Sequence, residues 1–258
     1  MPLEFVGRSL ALSTAAMSTA TNALSTGAAE IWTVLHVETS GCGFLPDRRP
    51  PILFERHIFS RLTNGRFDLS DVSNPEPGGY GPLGANQYVR LANAIAVDRA
   101  AALESASWGL AQILGSNFAQ AGFPDVESMV AAMSESEDRQ LAAFVAFLTA
   151  NRFDRLLQSH DWTSFARGYN GPNFAVNQYD TRLAQAFAQF STGPLPDLNV
   201  RAAQLYLTFA GVDPGPVDGM MGARTRAALL AYQQRQSVAP SGQADPATLA
   251  SLAQVALA

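Results

Sequence analysis

Residues 31–44 read IWTVLHVETSGCGF, and this stretch decides how the rest of the chain is read. Counting back from Glu38, apolar residues stand at Leu35, Val34 and Ile31. Offsets of three, four and seven place the Glu38 carboxylate on the apolar face of a helix over about residues 28–38. Thr39, Ser40, Gly41 and Gly43 follow at once and stop that helix. A glutamate in the last turn meets the negative end of the helix dipole. Partial burial acts in the same direction, so both effects raise its pKa. A general acid working near neutral pH needs such a shift. The plainer alternative is a surface glutamate at a frayed helix end.

Outward from this stretch, composition narrows the classes. The chain has 258 residues, 47% hydrophobic and 15% charged, enough for one large and one small domain. A net charge of -5 argues against a nucleic-acid partner, which would need a basic footprint. All 17 basic residues are arginine, which removes lysine Schiff bases and the phosphate-loop lysine. The single cysteine, Cys42, allows no internal disulfide and no cysteine-rich zinc site. No run approaches the roughly 18 apolar residues of a membrane span, so no membrane insertion is expected. The first residues carry Glu4 and Arg8 without a cationic start or long apolar centre. No standard signal peptide is expected from them.

Along the chain, residues 10–26 read as a short helix, and 41–51 as a proline-rich loop. Residues 52–59, ILFERHIF, fit strand or helix equally. Residues 63–86 hold most of the turn formers and are long for an idle loop, which suggests a cleft wall. Tyr88, Leu91, Ile95 and Leu103 mark one helix, and Trp108, Ile113 and Leu114 another ending at Gly115. Trp108 itself reads as core. Ser134 and Glu137 have capping-box spacing before a helix that buries Leu141, Phe144, Val145 and Leu148. Phe153, Leu156 and Leu157 mark a further helix, and Asp161 caps one reaching Tyr169. Val176, Tyr179, Leu183, Phe187 and Phe190 form a last stripe, read as core. Residues 191–199, STGPLPDLN, read as a linker. Up to residue 190, 18 acidic residues face 13 arginines; from the linker onward, four face four.

Five motifs in order then line up: GCGFLPD at 41–47, ILFERH at 52–57, NPEPGGYG at 74–81, ASWGL at 106–110 and RGYNGP at 167–172. Together with Glu38 they resemble the N-acetylmuramidase domain of modular bacteriophage endolysins, within the goose-type lysozyme and lytic transglycosylase superfamily. The tail resembles the small three-helix peptidoglycan-binding domain. It carries Asp218-Gly219, Gly222, Thr225, Tyr232-Gln233, Gly242, Asp245 and Thr248-Leu249.

The resemblance implies a mainly α fold: a lysozyme-like helical catalytic domain with at most a small β element, then a three-helix domain. The expected boundaries are 1–190, a linker at 191–199, and 200–258. It implies hydrolysis of the β-1,4 bond after N-acetylmuramic acid, with Glu38 as general acid. Glu55 and Asp47 are candidates for the second carboxylate. Glu55 is favoured because its apolar flanks make an idle charge costly, although a salt bridge to Arg56 or Arg48 would also explain it. Asp68 and Asp71 are weaker candidates. Tyr169 and Asn170 would orient Glu38 and hold an acetamido group. Ser107 and Gln112 would line the cleft, and Tyr80 would stack on a sugar. Peptidoglycan is the implied partner, with no cofactor or metal and a monomeric chain. The implied location is the host cytoplasm, then the periplasm and wall after release through a holin-type pore.

Other readings use the same residues. A lytic transglycosylase would use the muramic 6-hydroxyl in place of water. His36, His57 and His160 would have to cluster to make a zinc amidase, and His36 with Glu38 lacks the later cysteines of a zinc deaminase. A cysteine peptidase would pair Cys42 with His57, His160 or Asn170, but Cys42 follows a helix C-terminus, which does not activate a thiol. The tail alone would suit a noncatalytic wall-binding protein.

Overall fold

The computed structural model describes residues 3–39, 41–68 and 71–257. Ser40, part of the helix stop read above, lies outside the described residues, as do Leu69 and Ser70 of the long loop. Helix α1 (Thr14–Leu24) starts on Ser13, whose side chain accepts from Ala16 N–H. Helix α2 (Ala28–Thr39) follows and carries Glu38 as its penultimate residue. Ile31, Val34 and Leu35 on the same face are fully buried. The ambiguous stretch at 52–59 turns out to be both elements: strand β1 (Ile52–Phe54), then Glu55, then helix α3 (Arg56–Leu62).

The next segments correct two expectations. The helix marked by Tyr88 to Leu103 is two, α4 (Gln87–Ile95) and α5 (Arg99–Glu104). Asp98 breaks it by capping α5 from an extended conformation, accepting from Ala101 N–H. The helix expected around Trp108 is a hairpin of β2 (Ala106–Trp108) and β3 (Ile113–Leu114). Gly109 and Gln112 both adopt positive φ there, which no α-helix accommodates. The antiparallel sheet has the order β1-β2-β3, pairing Leu53 with Ser107 and Ser107 with Leu114. Trp108 is fully buried, and its indole N–H donates to Leu103 C=O at 3.0 Å.

Helices α6 (Val126–Glu135) and α7 (Glu137–Ala150) meet at Ser136, which caps α7 by accepting from Arg139 N–H. The capping-box reading therefore fails. Ser134 lies inside α6 with its hydroxyl on Val130 C=O, and Glu137 has other partners. Val145 is only half-buried. Helix α8 (Phe153–Gln158) precedes α9 (Trp162–Tyr169), which Asp161 caps through Ser164 N–H as the sequence indicated. Helix α10 (Tyr179–Thr192) lies along α2. Val176 precedes it in a short 3-10 turn and is 81% exposed, so it does not belong to the buried stripe.

Three helices close the chain: α11 (Leu198–Phe209), α12 (Ala223–Arg235) and α13 (Pro246–Ala256). Two buried glutamines tie their loops. Gln204 accepts from Asp218 and Gly219 N–H and donates to Thr225; Gln233 accepts from Gly242 N–H and donates to Thr248. The Gly219 and Thr225 spacing of six recurs at Gly242 and Thr248, so the tail's motif residues fasten each loop to the start of the next helix.

Two hydrophobic clusters result. The larger runs from Leu12 to Phe190. The smaller is built from α11, α12 and α13, but it also contains Phe44 from the loop after Glu38. Among the described residues, no helix is long and apolar enough to cross a membrane.

Candidate active site

Glu38 is half-buried at the end of α2. Burial raises its carboxyl from the ordinary 4.5 to about 7, against opposing effects of the Asn170 hydrogen bond and the Arg182 charge. Asn170, the C-cap of α9, donates from Nδ2 to Glu38 Oε1 at 2.8 Å. Its own Oδ1 is buried without a partner. A buried unpaired acceptor is costly, so it is a ready position for a ligand N–H. Gly171 follows with φ +88, which lets the chain turn immediately after Asn170.

Tyr169 does not bond Glu38 directly. Its hydroxyl donates to Ala111 C=O at 2.6 Å, tying the RGYNG motif to the turn that follows ASWGL. Burial and the nearby Glu38 carboxylate hold that phenol well above its ordinary pKa. Thr39 adds a second tie, donating to Leu110 C=O at 2.7 Å. Gln112 donates to Pro51 C=O and Gly109 C=O, so its amide N–H groups brace the hairpin. Ser107 is half-exposed between buried Ala106 and Trp108, on the opposite face of the pleat.

Glu55 precedes α3 but makes no side-chain cap. It faces Tyr80, with which it hydrogen-bonds, and His57, whose Nδ1 lies 3.3 Å from Oε2. Burial raises the Glu55 carboxyl above its ordinary value, and the Tyr80 bond opposes that. Burial and Arg61 lower the His57 pKa, which favours neutral imidazole beside Glu55. The expected partners Arg56 and Arg48 are elsewhere: Arg56 donates to Gly78 C=O and Arg48 to Gly7 C=O.

The other carboxylates have committed partners. Asp47 takes both Nε and Nη2 of Arg49, at 3.0 and 2.6 Å. Asp68 accepts from Ser73, and Asp71 pairs with Arg90 at 3.2 Å. Arg90 also donates to the carbonyls of Gly79 and Tyr80, and Gln87 donates to the latter. The long turn-rich loop is thus pinned, and it presents Tyr80, 36% exposed, next to Glu55.

Two residues in the site escaped sequence reasoning. Tyr179, counted there as core, opens α10 and is half-exposed. Both Glu38 and Glu55 raise its phenol pKa after burial, so it stands within electrostatic reach of both carboxylates. Arg182, one turn on, donates to Val37 C=O at 2.9 Å and sits over the Tyr179 ring at 5.2 Å. The signal available was a Tyr and an Arg three apart, just after RGYNG, on a helix otherwise patterned for a core.

The alternative chemistries find less support. Burial and Glu137 push the Cys42 thiol up to about 11, and it donates to Phe44 C=O. A thiol of that kind is not an activated nucleophile. His160 pairs with Glu30, His36 packs edge-on against Phe190, and His57 faces Glu55. Among the described residues, no group of three or more His, Cys, Asp or Glu could hold a metal ion. Cys42→Ser is expected to leave clearing of a peptidoglycan zymogram intact; loss of clearing would bring the thiol into the chemistry.

A family model described as N-acetylmuramidase matches residues 27–191, which contain every residue of this site. The chain belongs to the N-acetylmuramidase family. A second model, described as a peptidoglycan binding domain, matches residues 196–252. The crystal structure of a Burkholderia AP3 phage endolysin is similar at 40% identity and a TM-score of 0.63, covering 70% of this chain and 71% of that one. A search of the curated proteins finds no match. This muramidase is therefore a lysozyme-like glycoside hydrolase, mainly α with a small sheet, and a peptidoglycan hydrolase.

Proposed function

We propose that Glu38 is the general acid that protonates the leaving glycosidic oxygen when this muramidase cleaves the β-1,4 bond after N-acetylmuramic acid. The observation that carries this reading is the Glu38 carboxyl, raised to about 7 by burial, with Asn170 fixing one oxygen. Such a group is still protonated near neutral pH and so has a proton to give. Glu55 is the second carboxylate. It is the acidic side chain in electrostatic contact with the same tyrosine, Tyr179, as Glu38, and its ion-pair partner among the described residues is His57, not an arginine. In its ionised form it takes a proton from the attacking water, the role of the second group in glycoside hydrolysis. Asp47, held by Arg49, remains in reserve for that role. Asn170 Oδ1 receives the acetamido N–H, Tyr80 stacks on a sugar ring, and Ser107, Gln112 and Tyr169 complete the walls.

The chain divides within the expected linker of residues 191–199, whose ends are taken up by α10 and α11, into a catalytic part, 1–190, and a wall-binding part, 200–258. In keeping with its endolysin neighbour, we read it as a phage lysis enzyme. It acts as a monomer on the host wall, without inserting into a membrane, after holin-type release from the cytoplasm. Mass spectrometry of products from purified peptidoglycan tests the reaction. Reducing-end muramic acid is expected. Anhydro-muramic acid would mean that the 6-hydroxyl replaces water, and reducing-end glucosamine would place the cut at the other bond.

Asn170→Ala separates positioning from chemistry. The bond it removes lowers the Glu38 pKa, so the alkaline limb of the pH–rate profile moves to higher pH. The rate at the optimum falls by roughly tenfold as the acid loses its fixed orientation. An unchanged alkaline limb would show that this bond does not tune the acid.

A further inference from the structure

The loop that ends the acid's helix, residues 41–44, is built from both ends of the chain. Gly41 N–H closes onto Leu35 C=O of α2 at 3.1 Å, two positions past the end of that helix. Its own carbonyl accepts from Arg201 Nε at 2.9 Å and from Arg201 Nη2. Arg201 belongs to α11, in the segment matched by the peptidoglycan binding family. It is 1% exposed, and its guanidinium sits over the Trp32 ring of α2 at 5.7 Å. The remaining donors meet Glu137, itself 0% exposed, with Nη2 to Oε1 at 2.6 Å and Nη1 on Oε2. Glu137 also accepts from Gly43 N–H and Leu12 N–H, both at 2.8 Å.

Gly43 is held on its other side too. Gln140 donates to Gly43 C=O at 3.0 Å and accepts from Leu110 N–H of the ASWGL motif at 2.7 Å. A Cβ on Gly43 would collide with Gln140 and Glu137, so the backbone lies flush against α7. Phe44 then leaves the catalytic part. It is 4% exposed within the cluster formed by the last three helices, edge-on to Phe209 at 6.3 Å. A third tie lies nearby, Ala11 N–H to the Tyr206 hydroxyl at 3.0 Å.

A flexible tether would leave none of these groups buried. An Arg–Glu pair removed from water persists only when its hydrogen bonds are nearly all made, and here they are made through backbone atoms of residues 41–43. We propose that the C-terminal module is a positioning element of the catalytic centre: Arg201 and the socket for Phe44 hold the loop that fixes the end of the Glu38 helix. Wall binding and catalysis are thereby mechanically joined, and Arg201 acts on the reaction through Glu137, Gly41 and Glu38 without touching substrate. Lysine at this position would supply a charge but not the fork that reaches Glu137 and Gly41 together.

This inference rests on Glu38 being the acid, and two sets of variants keep the questions apart. Full-length Arg201→Met, Arg201→Lys and Phe209→Leu are assayed on soluble, peptide-free glycan strands of alternating N-acetylglucosamine and N-acetylmuramic acid. Sedimentation with whole walls is measured in parallel. Arg201→Met is expected to lower kcat about tenfold with KM little changed, and to displace the alkaline limb of the pH profile. Arg201→Lys recovers part of both, and Phe209→Leu, which removes the ring against Phe44 but leaves the buried pair, lowers kcat in the same sense. If Arg201→Met does not fold, Phe209→Leu decides alone. Wild-type kcat and pH profile on soluble strands, with any loss confined to wall sedimentation, would return the module to a tether and overturn the proposal. Full activity of Glu38→Gln would instead remove the reading beneath it.

Discussion

Glu38→Gln is expected to abolish lysis while making the folded protein more stable at alkaline pH. The activity loss follows from chemistry: an amide has no proton to give, and positioned general acids contribute a factor of about 10^2–10^4. The stability gain follows from linkage. A carboxyl raised to about 7 in the folded state binds its proton more tightly there than in the unfolded chain, where the ordinary 4.5 applies. Folding is therefore not penalised below about pH 4.5, and stability is lost as pH rises through about 7. Glutamine cannot ionise, so the variant should melt higher than wild type at pH 8 and nearly alike at pH 5. Thermal melts at the two pH values check this beside a turbidity assay on walls. Lost activity with no pH-dependent gain would mark Glu38 as important but not as a strained, proton-holding group.

Glu55→Gln is the second large effect. If Glu55 accepts the proton of the attacking water, its loss lowers kcat/KM by a factor similar to that of the acid, about 10^2–10^4. The two variants differ in shape. The acid limb of the pH profile reports deprotonation of Glu55, whose pKa burial raises, and the alkaline limb reports loss of the Glu38 proton. Glu55→Gln should erase the acid limb and keep the alkaline one. Azide, small enough to occupy the vacated space and nucleophilic without a base, should restore part of the rate. Asp47→Asn, by contrast, should keep both limbs, because Asp47 is held by Arg49. A normal Glu55→Gln profile beside a defective Asp47→Asn one would reverse the assignment.

The placement of Glu38 was legible because its signal is local. Three apolar offsets and a glycine stop place Glu38, and the structure buries that same face. Asp161 was legible for the same reason, a cap being a matter of three residues. The hairpin at β2 and β3 was not, because Trp108, Ile113 and Leu114 fit helical spacing and only the positive φ of Gly109 and Gln112 forbids it. Glu137 misled as a capping residue because its true partners, Gly43, Leu12 and Arg201, are distant in sequence. Tyr179 was hidden by company: it shares a helix with Leu183 and Phe190, and only the placement of α10 turns it toward the carboxylates. Arg201 carried no sequence signal at all, since one arginine in a neutral tail reads as surface until its partners are seen.

If the fold holds Glu38 protonated near neutral pH, poised to give its proton to the leaving sugar, the carboxyl itself must titrate there. The most direct measurement is a carbon NMR titration of the side-chain carboxyls in glutamate-labelled protein, with the Glu38 resonance assigned by Glu38→Gln. A midpoint near 7 is the result expected. A midpoint near the ordinary 4.5 would leave Glu38 ionised at the pH of lysis and contradict the account.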